Sequence, residues 1–161
     1  IVREPVTIMK TAQAMNYKPN FYGLGPTTDK RVGLLAGEAG EGFITAYWAF
    51  HPESNNSGPE FYRELCDKNN VPAKMRGLYH YYGFATAVVL VEGLKRAGKN
   101  LNRKRFINAL ENLKNWESGV FPPITYSRND HAGVESVMLL QLQNQKEQCH
   151  HSGPSLTRDS H

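Results

Sequence analysis

Apolar positions between Arg3 and Asn16 recur with a helical period. Val6, Met9 and either Ala12 or Gln13 form one stripe, with Ile8, Ala12 and Met15 beside it. Pro5 suits a first turn, so the spacing predicts an opening amphipathic helix that Lys18-Pro19-Asn20 stops. Phe21–Leu24 reads as a short strand running into the turn Gly25-Pro26-Thr27-Thr28. Thr28 or Asp29 can cap a short helix carrying Val32, Leu34 and Leu35, which Gly37 ends. Gly42–Trp48 is β-rich and has the composition of a buried strand.

A polar loop from His51 to Gly58 marks a boundary or crossover. Pro59–Asn69 follows as a helix with Phe61, Leu65 and Cys66 toward one side. Gly77–Ala97 is a long apolar helix that Gly98 terminates. Asn102 caps another over Arg103–Leu113, with Phe106, Ala109, Leu110 and Leu113 as its buried stripe. Beyond Pro122-Pro123, Ile124–Tyr126 and Ser136–Gln143 read as two strands joined through Asn129–Gly133. Helices and strands alternate, then helices follow, then strands, which predicts the α/β class with no internal repeat.

The chain has 161 residues, 40% of them hydrophobic, enough for a core of about one domain. Charged residues make up 21% and the net charge is +4, an ordinary globular balance that excludes disorder and low-complexity fibres. The longest apolar run, Ala85–Val91, falls far short of the roughly 20 residues of a membrane helix. Two cysteines exclude a disulfide-dense scaffold. Ile1 is not a Met, and no signal-peptide pattern follows it, as expected of a mature chain or a fragment. The stretch from Gln148 to His161 lacks apolar periodicity and reads as a solvated tail.

Few residues carry a reactive pattern. Gly37-Glu38-Ala39-Gly40-Glu41-Gly42 lies between a helix and a strand, the reverse of a phosphate-cradling loop, and reads as a helix stop and tight turn. Cys149-His150-His151 has metal-binding side chains but no second pair at ligand spacing, so no metal site is assigned. Cys66 reads as a small buried residue, and Asp130-His131 as turn chemistry. No serine sits on a strand-to-helix elbow, so no catalytic residue is assigned and no enzyme activity is expected. The basic run Lys95, Arg96, Lys99, Arg103, Lys104 and Arg105 could meet an acidic partner, or it is a solvated helix junction. It lacks interleaved aromatics, so a nucleic-acid partner is not expected. Tyr79, Tyr81, Tyr82 and Phe84 cannot all share one helix face. Some line a cleft or interface, or they pack a core.

In this order the pieces resemble the type I periplasmic ligand-binding proteins of branched-chain amino-acid transport systems. The resemblance rests on Gly37–Gly42 before a strand, on Tyr82-Gly83-Phe84 leading to Glu92–Gly98, and on Ile124–Ser127 with Asn129–Gly133 as a late hairpin. Val137–Gln143 resembles the closing strand, and the likeness runs over about Ile1–Lys146. It implies a portion of a two-lobed α/β fold. Residues 1–48 would belong to lobe two and 49–131 to lobe one. Residues 132–146 would return to lobe two, with 147–161 as an appended tail.

The same resemblance implies the non-enzymatic solute-binding component of an ABC-type uptake system, periplasmic or extracellular. It would have no cofactor and would work with a membrane permease, closing by hinge motion on a small solute. The implied ligand-binding residues are Gly23, Leu24, Gly25 and Thr27 from one lobe and Tyr81, Tyr82 and Phe84 from the other. Amino-acid-binding members hold the ligand ammonium with a glutamate in the loop after the strand matching Phe21–Leu24. Here Gly25 falls nearest that position, which points to an amino-acid-like, acidic or aromatic solute other than a branched-chain amino acid. The alternative is an α/β interaction module that uses the basic run on an acidic or nucleic-acid partner.

Overall fold

The computed structural model describes residues 2–144 and, by backbone alone, 146–149. Its contacts divide it into two units, one running to Trp48 and resuming at Val137, the other spanning Ala49–Ser136.

The first unit is built on a four-stranded sheet in the order β1 (Tyr22–Gly23), β2 (Ile44–Tyr47), β3 (Met138–Gln143), β4 (Lys146–Cys149). β1 and β2 are parallel, with Tyr22 opposite Ile44, and therefore need a crossover between them. Helix α2 (Lys30–Ala36) supplies it. β3 runs antiparallel to β2, with Tyr47 opposite Met138, and β4 antiparallel to β3. Helix α1 (Arg3–Ala14) lays Val6, Met9 and Ala12 inward, so Ala12 rather than Gln13 completes its stripe. Val6 and Met9 pack with Val32, Ala36, Phe43 and Leu142 in one core.

Several local expectations are corrected here. Helix α1 ends before Lys18-Pro19: Asn16 takes φ +53°, and the N–H groups of Asn16 and Tyr17 close back on Gln13 and Ala12. On the two turns of α2, Val32, Gly33 and Ala36 face inward, which turns Leu34 and Leu35 out to solvent. Gly37, at φ +59°, ends that helix as expected. Residues 147–149 belong to β4, because backbone pairing to an edge needs no apolar side-chain pattern. His150 to His161 lie outside the described residues.

The second unit holds α3 (Ser57–Lys68), α4 (Leu78–Ala97) and α5 (Arg103–Glu111). Asn102 caps α5 by accepting the Arg105 N–H at 2.9 Å. Gly98, at φ +73°, ends α4. Gly93 lets α5 approach closely, since a Cβ there would lie 2.7 Å from Leu110 and 2.8 Å from Phe106. Pro59, Tyr62 and Cys66 are buried side chains of α3, the last two one helical turn apart, whereas Phe61 and Leu65, read toward one side with Cys66, are exposed. Ile124–Tyr126 forms no regular strand. Its amides alternate between two stretches: Ile124 and Tyr126 donate to Trp116 and Leu113, and Thr125 donates to Gly133. It is not the hairpin partner of β3, which pairs with β2 and β4.

Two glycines test this packing. Gly58 sits against the Gly119 backbone and 2.5 Å, measured from an added Cβ, from Val120 Cγ1. Gly83 in α4 has open space around it. Gly58→Ala should therefore cost about 1–3 kcal/mol in denaturant titrations. Gly83→Ala should instead stabilise the chain by about 0.5–1 kcal/mol through helix propensity. Equal midpoints for the two variants would contradict the close approach of Gly58 to Gly119.

Candidate functional site

In sheets with parallel strands, ligands gather beyond the carboxyl ends, where loops leave the sheet. At the carboxyl end of β1 the chain extends through Leu24 and tightens into a 3-10 turn over Gly25–Thr27, with Pro26 fixing its start. The Leu24 carbonyl accepts both the Thr27 N–H, at 2.8 Å, and the Thr27 hydroxyl, at 2.7 Å. The Thr27 hydroxyl thus has its proton engaged and offers outward only an acceptor. Gly25 receives the Thr28 N–H at 3.0 Å and is itself buried.

Aromatic rings dictate both glycines of this loop. A Cβ on Gly23 would lie 2.5 Å from Phe43 Cζ. A Cβ on Gly25 would overlap the six-membered ring of Trp48, the residue that follows β2. Because β1 and β2 are parallel, Trp48 leaves the sheet at the same end as the Gly25 turn. Trp48 keeps 38% of its surface exposed, and Tyr22 and Leu24 are more exposed still, at 72% and 75%. Trp48 was not among the residues predicted for the site. The signal for it was an aromatic at the end of a parallel strand, across from a glycine.

Asp29 and Thr28 are buried beside the turn. Asp29 caps α2 by accepting the Arg31 N–H at 3.0 Å. Its two oxygens also accept Arg31 Nε at 2.8 Å and Nη2 at 2.7 Å, a two-pronged ion pair. Those hydrogen bonds hold the Asp29 carboxyl below its ordinary value of 3.8 against the opposing effect of burial. The charge of this carboxylate is therefore already matched. Thr28 Oγ1 has no hydrogen-bond partner among the described residues.

The other predicted residues lie in the second unit, at the start of α4. Tyr81 has no exposed surface and meets Tyr62 edge-on, with centroids 5.0 Å apart and planes at 81°. Phe84 is half-buried and tilts against Tyr62 at 5.3 Å and Phe61 at 5.9 Å. The Tyr62 hydroxyl and His80 Nδ1 are 2.8 Å apart. Tyr82 is half-buried and Tyr79 exposed, so the four aromatics do divide between faces. Burial pushes the phenols of Tyr81 and Tyr82 above the usual tyrosine range.

Several of the remaining candidates have local roles. Gly37–Gly40 continues as a 3-10 turn after the helix stop, and Gly42 turns at φ +82°. Arg96 of the basic run pairs with Glu92 at 2.6 Å. Arg103 and Lys104 border a shallow surface hollow shared with Glu111 and Arg128. The Asp130 carboxylate accepts the Ala132 N–H at 2.8 Å within its turn.

A family model described as periplasmic binding protein matches residues 3–147. The chain belongs to the periplasmic binding protein family. In structure it is similar to a branched chain amino acid ABC transporter protein from Thermus thermophilus with bound valine. That match has a TM-score of 0.84 at 20% identity and covers 96% of this chain and 43% of that one. It is also similar to an ABC transporter substrate-binding protein from Aeropyrum pernix, with a TM-score of 0.80 at 16% identity over 96% and 42%. A third likeness is to a fatty acid ABC transporter substrate-binding protein from Thermomonospora curvata, with a TM-score of 0.78 at 17% identity over 97% and 41%. No curated protein matches in sequence. At these identities the likeness establishes the fold, and this chain spans about two fifths of each of those structures: a portion of the two-lobed α/β architecture.

The Asp29 pair makes this end of the sheet acid-sensitive. Its carboxyl titrates lower in the folded chain than in the unfolded one. The stabilisation is therefore present above the unfolded value and lost as pH falls through the folded one. Asp29→Asn keeps a cap acceptor but removes the charge, so it should be less stable than the parent at pH 7, with the difference shrinking below about pH 4. Asp29→Ala should lose about 1 kcal/mol more through the missing cap. Urea titrations at pH 7 and pH 3 read both effects, and a gap between parent and Asp29→Asn that is no smaller at pH 3 than at pH 7 would refute the assignment.

Proposed function

We propose that the protein carrying this chain is the solute-binding component of an ABC-type uptake system, a receptor rather than an enzyme, working in the periplasm or outside the cell. In this reading the sheet-bearing unit belongs to lobe two and the Ala49–Ser136 unit to lobe one. The solute is held as the lobes close by hinge motion, which excludes water around it, and a membrane permease receives it. Family membership supports the class. The observation that carries the site is the turn at the carboxyl end of β1, where Gly23, Leu24, Gly25 and Thr27 present backbone and an exposed apolar side chain.

From the second unit, Tyr82 and Phe84 would supply contact area, with Tyr81, wholly buried, acting as their support. The solute is a small amino-acid-like, acidic or aromatic molecule. The ligands of the structural relatives, a bound valine in one and a fatty acid in the name of another, differ enough that fold alone does not select among them.

Titration calorimetry of the full-length protein against amino acids, dicarboxylates, aromatic acids and fatty acids should find at least one saturable, one-to-one solute left chemically unchanged. Phe84→Ala should weaken that binding about ten-fold or more, roughly 1.4 kcal/mol, with a smaller effect on stability. An unchanged affinity with a large fall in melting temperature would make Phe84 core and overturn its place in the site. Failure of every solute class to bind would overturn the receptor reading.

A further inference from the structure

Trp48 stands where any side chain on residue 25 would have to go. A Cβ added to Gly25 comes within 3 Å of three carbons of the indole, Cζ3, Cη2 and Cε3. The Gly25 backbone therefore lies against the Cζ3–Cη2 edge of the indole, and the pair leaves no room for a charged or polar side chain at that position of the turn. What the turn offers outward is part of the indole, the exposed Leu24 and Tyr22, and the acceptor side of the Thr27 hydroxyl.

The carboxylate nearest in sequence, Asp29, is buried and satisfied by Arg31 on both oxygens. An ammonium group brought against this surface would give up water and find no opposite charge from the turn, which is a costly exchange. An aromatic or aliphatic end would instead gain dispersion contact with the exposed part of the indole and release water from it.

We infer that Trp48 is a specificity-determining residue of this receptor, selecting solutes whose end at the β1 turn is apolar or aromatic and carries no ammonium. The inference rests on the solute-binding reading and deepens it. Gly25 is then required for what it lacks: only a residue without Cβ lets the edge of the indole come up to the turn.

Paired probes isolate the ammonium group. 3-Phenylpropanoate and L-phenylalanine share a ring and a carboxylate, and 4-methylpentanoate and L-leucine share a branched chain and a carboxylate; in each pair only the second bears an ammonium. Titration calorimetry of the full-length protein should show at least one deaminated probe binding ten-fold or more tightly than its amino acid. Trp48→Ala should weaken that probe ten-fold or more, and Trp48→Phe should restore most of the affinity. Gly25→Ala, which pushes the indole off the turn, should weaken it as Trp48→Ala does.

Tighter binding of either amino acid than of its deaminated partner would overturn the inference. So would a bound probe indifferent to Trp48→Ala and Gly25→Ala, or four probes that all fail to bind. If another class in the wider solute panel still binds, these results leave the receptor reading standing, so the two failures are distinguishable. Thermal melts of each variant show whether a lost affinity is a lost fold, and a Trp48→Phe variant that folds like the parent but binds no probe also counts against the inference.

Discussion

Strand β2 has two partners of opposite sense, and the rest of the molecule follows from that double pairing. Its parallel register with β1 obliges the chain to cross back through α2, which packs against the sheet with α1. The same register brings the exit of β1 and the exit of β2 to one end, so that a glycine turn and a tryptophan twenty-three positions later come into close contact. Its antiparallel register with β3 recruits a segment from the far end of the chain and seats Leu142 in the core begun by Val6 and Met9. Four residues, Ile44–Tyr47, thus connect the core, the turn and the return of the chain.

Much of this was legible in the sequence wherever a local rule decides the outcome. Asp29 and Asn102 cap their helices by hydrogen bonds within three residues, and Gly37 and Gly98 end theirs with positive φ, so no distant partner is needed to read them. The stripe Val6, Met9, Ala12 is likewise local. Phe61 and Leu65 do not follow Cys66 inward, and Leu34 and Leu35 face solvent, because being apolar states a preference, whereas facing depends on which side the neighbouring element occupies. A short helix such as α2 has too few turns for its pattern to reveal that side.

The irregular segment Ile124–Tyr126 shows a second limit. It has the β-branched and aromatic composition of a strand, but its amides are divided between the Leu113–Trp116 stretch and Gly133, with only an isolated bridge at Ile124. Composition reports a preference for extension; pairing is a property of the fold. For the candidate site the turn at Gly23–Thr27 was readable, because two glycines and a proline in five positions specify a backbone. Trp48 was not readable, since its role arises only once β1 and β2 lie side by side.

The pairing of Tyr47 with Met138 also sets an order of events. Closing a flexible loop of about 90 residues costs on the order of 4 kcal/mol in chain entropy, and a chain that emerges from its N-terminal side meets that cost last, after everything between the two strands has emerged. Until then β2 has one short parallel partner and one open edge, a surface on which another chain can add a strand. If the Ala49–Ser136 segment folds as a body before β3 arrives, most of the loop is already shortened and the open edge is brief. The inserted unit then serves the sheet it interrupts, as the element whose early folding keeps β2 from pairing with the wrong partner.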